Sequence, residues 1–156
     1  MVFSTLHTND AISTPVRLID MGAPRYMVAL SLQLVIAQRL VRVICESCSE
    51  NHTLLPNHLE WLRQELGGSD AIHPKRGKGC THCNGTGYMG RTGIYEMLEM
   101  TAPVVQAANN ENVQNFIEAA REQLAGNTLR RHAAMLAAAG TTTVEEAMRI
   151  SNQFEE

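Results

Sequence analysis

Gly79-Cys80-Thr81-His82-Cys83-Asn84-Gly85-Thr86-Gly87-Tyr88-Met89-Gly90-Arg91-Thr92-Gly93-Ile94-Tyr95-Glu96 runs from a glycine-rich Cys-x-x-Cys turn straight into a strand-like stretch. Its counterpart is Cys45-Glu46-Ser47-Cys48, separated from it by the 31 residues 49–79. Together the two motifs use all four cysteines of the chain. A Cys-x-x-Cys turn aims two thiolates at one point, and two such turns complete the four-coordinate shell that zinc prefers. The interval exceeds the usual spacing of paired knuckles. A helix expected over Pro56–Leu66, stopped by Gly67-Gly68, accounts for the extra length by returning the chain to its start. Lys75, Arg76 and Lys78 lie near the second knuckle, where positive charge offsets a cluster that is formally dianionic with Zn²⁺ bound. A closed four-cysteine shell leaves no position for water, so the expected role of zinc is structural. Free structural thiols or a disulfide are the alternatives. His82, His52 and His73 are nearby but are read as surface residues, because four sulfurs already satisfy the metal.

Outward from the cysteines the pattern alternates strand and helix. Residues 2–6 read as the end of a strand. Asn9 or Asp10 is placed to cap a helix through Ile12, Val16 and Ile19, with Pro15 early in it and Gly22 at its end. Pro24 opens a second helix, expected from Arg25 to about Arg39 with Leu30, Leu34 and Ala37 on one face. Leu40–Ile44 and Thr92–Leu98 read as strands. Helices are expected at about 102–108, 112–123, 128–139 and 143–152, and Thr143 with Glu146 has capping-box spacing.

Composition narrows the function classes. Hydrophobic residues make up 44% of the 156 residues, enough for a core, but aromatics are only 4%. A formal net charge of -3 with so few aromatics argues against nucleic-acid binding. The longest apolar run, Met27 to Ala37, is too short to span a bilayer, and Met1-Val2-Phe3-Ser4 does not open a signal peptide. The chain is therefore read as soluble and cytoplasmic, with no direct membrane insertion.

Ser4-Thr5-Leu6-His7-Thr8-Asn9-Asp10-Ala11 places hydroxyls and a histidine at an expected strand end before a helix N-terminus. In an open α/β sheet that position binds ligands, and a helix N-terminus suits phosphate. Taken alone the signal is weak, since a histidine there also serves purely structural ends.

With the cysteines the segment becomes specific. Ser4–Ala11, Ile36-Ala37-Gln38-Arg39-Leu40-Val41-Arg42, the run from Gly79 to Glu96, and Thr142-Thr143-Val144-Glu145-Glu146 occur in this order. In that order the sequence closely resembles the ATPases that power type II secretion and assemble type IV pili, over nearly its whole length. The four cysteines place it with the assembly and secretion motors rather than the retraction motors, and a pilus of the mannose-sensitive haemagglutinin type is a possible system within that group.

The resemblance implies an α/β fold: the C-terminal part of a RecA-like P-loop ATPase domain, a tetracysteine zinc-binding insertion and a helical C-terminal subdomain. Residues 1–44 would be the remnant of the ATPase core with its His box, 45–90 the zinc-binding subdomain, and 91–156 the helical subdomain. It implies a homo-hexamer that uses ATP and Mg²⁺ and acts on an inner-membrane platform protein, so that the protein is peripheral to that membrane through its partners. His7 would lie near the γ-phosphate as the catalytic histidine, supported by Thr5 and Thr8. Arg17, Arg39 and Arg42 would contact nucleotide or a neighbouring subunit, and Arg91 would make a packing or interface contact in which Glu96 could join it. No G-x-x-x-x-G-K-[ST] occurs in the 156 residues and no acidic Walker B segment is recognisable. The expectation is therefore a piece of a longer motor, inactive alone.

Two other readings compete. A stand-alone zinc-ribbon interaction module fits the knuckles, and Cys80–Gly87 looks like one glycine-rich repeat of zinc-binding chaperone domains, a weak match as a single copy. A thiol redox protein fits poorly, having two Cys-x-x-Cys pairs and no thioredoxin-like pattern.

Overall fold

The structure, a computed structural model, describes residues 1–68 and 71–152. In chain order its helices are α1 (Ser13–Asp20), α2 (Arg25–Ser31), α3 (Pro56–Leu66), α4 (Ala102–Ala108), α5 (Val113–Leu124), α6 (Leu129–Ala138) and α7 (Val144–Asn152). The strands are β1 (Leu34–Ile44), β2 (Ser49–Asn51), β3 (Lys75–Gly77) and β4 (Tyr88–Glu99), with one 3₁₀ turn at Glu46–Cys48. β1 pairs with β4, and β2 with β3. The bonds just beyond the ends of the long pair, Met100 N–H to the Gln33 carbonyl and Cys45 N–H to the Gly87 carbonyl, run in the antiparallel sense.

The described chain divides into two compact units. The first, Met1–Gln38 with Tyr95–Thr128, packs α1 on α2, α2 on α4 and α4 on α5. Val28, Ala29, Val35, Leu98, Val104, Phe116 and Leu124 are buried there. The second, Arg39–Ile94 with Leu129–Glu156, packs α3 and α7 on α6. Leu62, Leu66, Ile94, Leu129, Ala133, Ala137 and Val144 are buried in it. Small alanines on the buried side of α6 let its neighbours approach closely.

α3 has the expected bounds. Pro56 occupies its first turn, where no N–H is needed, and Gly67 at φ 73° ends it in the left-handed region. Trp61 joins Leu62 and Leu66 on the buried side, and Leu59 is half-buried.

Two expectations are corrected. Residues 2–6 form no strand: Val2 and Phe3 are exposed, and residues 1–8 have no regular structure. A strand needs a hydrogen-bonded neighbour, and among the described residues the ladders are β1–β4 and β2–β3. The helix expected from Arg25 to about Arg39 stops at Ser31, and β1 begins at Leu34. β1 alternates, with Val35, Ala37 and Val41 buried and Leu34, Ile36 and Leu40 exposed. Both faces are apolar, so the period of two was invisible as hydropathy, and Leu30, Leu34 and Ala37 mimicked a helical stripe.

Candidate functional site

The second unit brings all four cysteine sulfurs together. The Sγ atoms of Cys45, Cys48, Cys80 and Cys83 all lie within 4.8 Å of one another. Cys45 to Cys80 and Cys48 to Cys83 are each 3.9 Å, and Cys80 to Cys83 is 3.7 Å. A tetrahedron with metal–sulfur bonds of ~2.3 Å has edges of ~3.8 Å. A disulfide needs ~2.05 Å, so these distances exclude one and fit a single tetrahedral ion. Among the described residues no histidine or carboxylate belongs to the cluster, and His82 is exposed.

Local backbone geometry explains the convergence. The first knuckle closes through Cys48 N–H to the Cys45 carbonyl, 3.2 Å, inside the 3₁₀ turn. In the second, Gly85 N–H donates to the Cys80 carbonyl at 2.9 Å and Thr86 N–H to the Cys83 carbonyl at 3.1 Å. Asn84 at φ 52° and Gly85 at φ 77° reverse the chain there, a conformation that asparagine and glycine tolerate best. The β2–β3 ladder, with Glu50 opposite Arg76, joins the knuckles from outside.

The cluster's electrostatics call for a cation. The Cys80 N–H, opposed by burial and helped by the Gly87 N–H, holds the Cys83 thiol down at about 6. These donors lie 3.2 and 3.3 Å from its sulfur. Burial pushes Cys48 the other way, up to about 12. One sulfur is thus held toward its thiolate while burial holds the other toward its thiol. A divalent cation removes that conflict by displacing the protons. Arg76 and Lys78, expected to offset the cluster's charge, form ion pairs with Glu50, at 2.8 and 2.7 Å. Lys78 first, then Arg76, holds the Glu50 carboxyl below its usual range.

The other sequence-chosen residues do not share one cluster with the cysteines. His7 and Thr5 are exposed in the segment before α1. Thr8 is half-buried, its hydroxyl 2.8 Å from that of Thr14. Arg17 is exposed on α1, and Arg39 is half-buried on β1. Asp10 caps the α1 entry as expected, its Oδ1 accepting Ser13 N–H at 2.7 Å. Glu96 is buried and accepts the Ala11 N–H at 2.9 Å, tying β4 to the end of the His7-containing segment. The sequence offered Glu96 as an acid that could join Arg91. Its position on the buried side of β4 was hidden until the alternation of that strand was known.

A further group was legible only in part. Glu146 is 1% exposed. Its carboxylate accepts from Arg42 Nη2 at 2.7 Å, Arg149 Nη2 at 2.9 Å and the Arg42 backbone N–H at 3.2 Å. Burial alone would raise the Glu146 carboxyl, but Arg149 and Arg42 overcome it and hold it down at about 2. Arg42 also lies 4.0 Å from the centroid of the Tyr88 ring, and the Tyr88 hydroxyl is 2.7 Å from that of Thr143. The capping-box spacing had marked Thr143 and Glu146. Thr143 does accept Glu146 N–H at 3.2 Å, while the glutamate side chain serves the arginines. Among the described residues no helix is long and apolar enough to cross a membrane.

Known proteins resemble this chain over nearly its whole length. The chain is 38% identical over 157 residues to a type IV pilus assembly ATPase, PilB, of Pseudomonas aeruginosa, which covers 97% of this chain and 26% of that protein. It is 35% identical over 153 residues to a type II secretion system protein E of the same organism, covering 98% of this chain and 30% of the relative. A type IV pilus assembly ATPase, TfpB, of Acinetobacter baylyi is 35% identical over 152 residues, 96% of this chain and 26% of that protein. The chain thus spans less than a third of the length of these relatives. The family model described as "Type II/IV secretion system protein" matches residues 1–149. With that match running through both cysteine motifs and the segment before α1, the chain belongs to the type II/IV secretion system protein family.

Proposed function

We propose that this chain is the C-terminal portion of a hexameric, RecA-like ATPase that powers type IV pilus assembly or type II secretion. The observation that carries the reading is the family match over residues 1–149. In this reading residues 1–44 belong to the ATPase core, 45–90 carry the metal, and 91–156 form the helical part. ATP and Mg²⁺ bind chiefly to parts of the motor that hold a P-loop, which these 156 residues lack. The motor works in the cytoplasm against an inner-membrane platform protein, and a mannose-sensitive haemagglutinin pilus is one system it would serve.

His7 is assigned to the γ-phosphate, with Thr5 and Thr8 setting the segment and Arg17 and Arg39 offering guanidinium groups to nucleotide or a neighbouring subunit. The anchoring of Ala11 by Glu96 supports this, because a fixed N–H at that point steadies the segment leading into α1. Zinc, where bound, supplies no chemistry to hydrolysis in this reading: it neutralises and ties together Cys45, Cys48, Cys80 and Cys83.

Two measurements test the proposal. The purified 156-residue chain is expected to hydrolyse no ATP, and steady turnover by it would overturn the assignment. In a longer protein that contains this chain and a P-loop, His7→Ala is expected to lower kcat on the order of 10²-fold, as loss of one transition-state donor does, with a much smaller change in ATP affinity. An unchanged kcat removes His7 from the site.

A further inference from the structure

Gly87 sits where three segments of the metal centre meet. Its N–H donates to the Cys83 sulfur at 3.3 Å. Its carbonyl accepts the Cys45 N–H at 3.0 Å. Its backbone also crosses that of Gly77, the last residue of β3, with no space between them. A methyl group on Gly77 would overlap the Gly87 carbonyl oxygen and come within 2.6 Å of its Cα. A methyl on Gly87 would come within 2.5 Å of the Gly77 carbonyl oxygen. β3 is itself tied to the first knuckle, since Lys78 N–H donates to the Cys48 carbonyl at 3.0 Å. The same residue therefore touches one ligand from each Cys-x-x-Cys pair and is wedged against the strand that carries the link between them.

We propose that the Gly77–Gly87 backbone crossing is the positioning element of the metal centre: it sets the separation of the two cysteine pairs and thereby the metal affinity. Bulk at Gly77 pushes the Gly87 carbonyl away and takes its partners with it, Cys45 on one side and Cys83 on the other. Thr86 closes the turn that aims Gly87. Its hydroxyl donates to the Cys83 carbonyl at 2.7 Å and accepts the Tyr88 N–H at 3.2 Å. Supporting groups of this kind shift metal affinity by about 10- to 100-fold in other metal sites.

The test compares Co²⁺ and Zn²⁺ binding to the whole chain by competition with a chromophoric chelator. Gly77→Ala carries the collision without backbone strain, because Gly77 is not among the positive-φ glycines. Gly90→Ala carries the strain of φ 76° without a collision, since nothing lies within 4 Å of a methyl group there. Gly77→Ala is expected to bind at least tenfold more weakly than Gly90→Ala. It should also show weakened tetrahedral Co²⁺ d–d bands, as water replaces a displaced sulfur. Equal affinities and equal spectra for the two variants would overturn the inference. Should Gly77→Ala fail to fold by circular dichroism, Thr86→Val decides: about tenfold weaker binding supports the crossing, and wild-type affinity contradicts it. The inference rests on the metal reading of the four cysteines. A wild-type chain that takes up no Co²⁺ would defeat that reading, whereas wild-type binding with an indifferent Gly77→Ala would defeat the crossing alone.

Discussion

Chelating the metal from the four-cysteine cluster is expected to strip amide protection from residues 45–51 and 75–88 while α3, α6 and α7 stay protected. These two stretches contain the knuckles and the three-residue strands β2 and β3, and Cys45 and Cys83 are their buried apolar side chains. A two-stranded ladder of three residues per strand does not hold itself together in water. Structural zinc in small sites binds with about 10–16 kcal/mol. If only about 4 kcal/mol of that is coupled to local opening, protection at Gly87 and Gly85 falls about 10³-fold. The resemblance implied a zinc-binding subdomain over all of 45–90, with α3 inside it. Packing narrows it, because Leu62 and Leu66 of α3 are buried and α3 packs on α6 and α7. Hydrogen exchange read by mass spectrometry, with and without chelator, checks the boundary. Unchanged exchange at 80–88 would show that the metal does not organise the knuckles.

Glu146→Gln should destabilise the second unit by about 2–3 kcal/mol at neutral pH, the range expected when charge-assisted hydrogen bonds to a buried group are lost. The larger penalties seen for fully buried pairs are not expected. Arg42 and Arg149 have side chains 44% and 51% exposed, so water can take over their charge. The substitution also has a pH signature. The folded-state carboxyl is held at about 2 against an ordinary 4.5. A depressed carboxylate contributes stability that is fully present above the unfolded value and is lost as pH falls through the folded one. The stability difference between the wild-type chain and Glu146→Gln should therefore be constant above about pH 5 and shrink between pH 4.5 and about 2. Taking the difference also cancels the loss of metal as the cysteines protonate, which both proteins share. Urea denaturation at a series of pH values measures it. A difference that persists undiminished at pH 2.5 would mean that the carboxylate's charge is not what holds α7 to β1.

The elements most legible in the sequence were those with local punctuation. Pro56 and Gly67 bracketed α3 to the residue, and the four late helices fell within a residue or so of their expected limits, because glycines, asparagines and threonines mark their ends. The metal cluster was legible because two residues of spacing and one residue type carry its chemistry. β1 was legible only in its second half, Leu40–Ile44: its partner, β4, lies more than forty residues on in sequence, and over the first half apolar side chains on both faces erased the alternation that would have exposed it. Long-range polar contacts were hidden for the same reason. Nothing near Glu146 points to Arg42, 104 residues away, and nothing near Ala11 points to Glu96. The strand expected at residues 2–6 shows the converse, since apolar residues alone do not make a strand without a neighbour to bond.

X-ray absorption at the zinc edge on the purified chain, with zinc counted per chain by elemental analysis, tests the central claim most directly. One zinc per chain with a first shell of four sulfurs at ~2.3 Å is the expected result. A first shell containing nitrogen or oxygen, or a chain free of zinc whose four thiols all react readily with an alkylating agent, would contradict it.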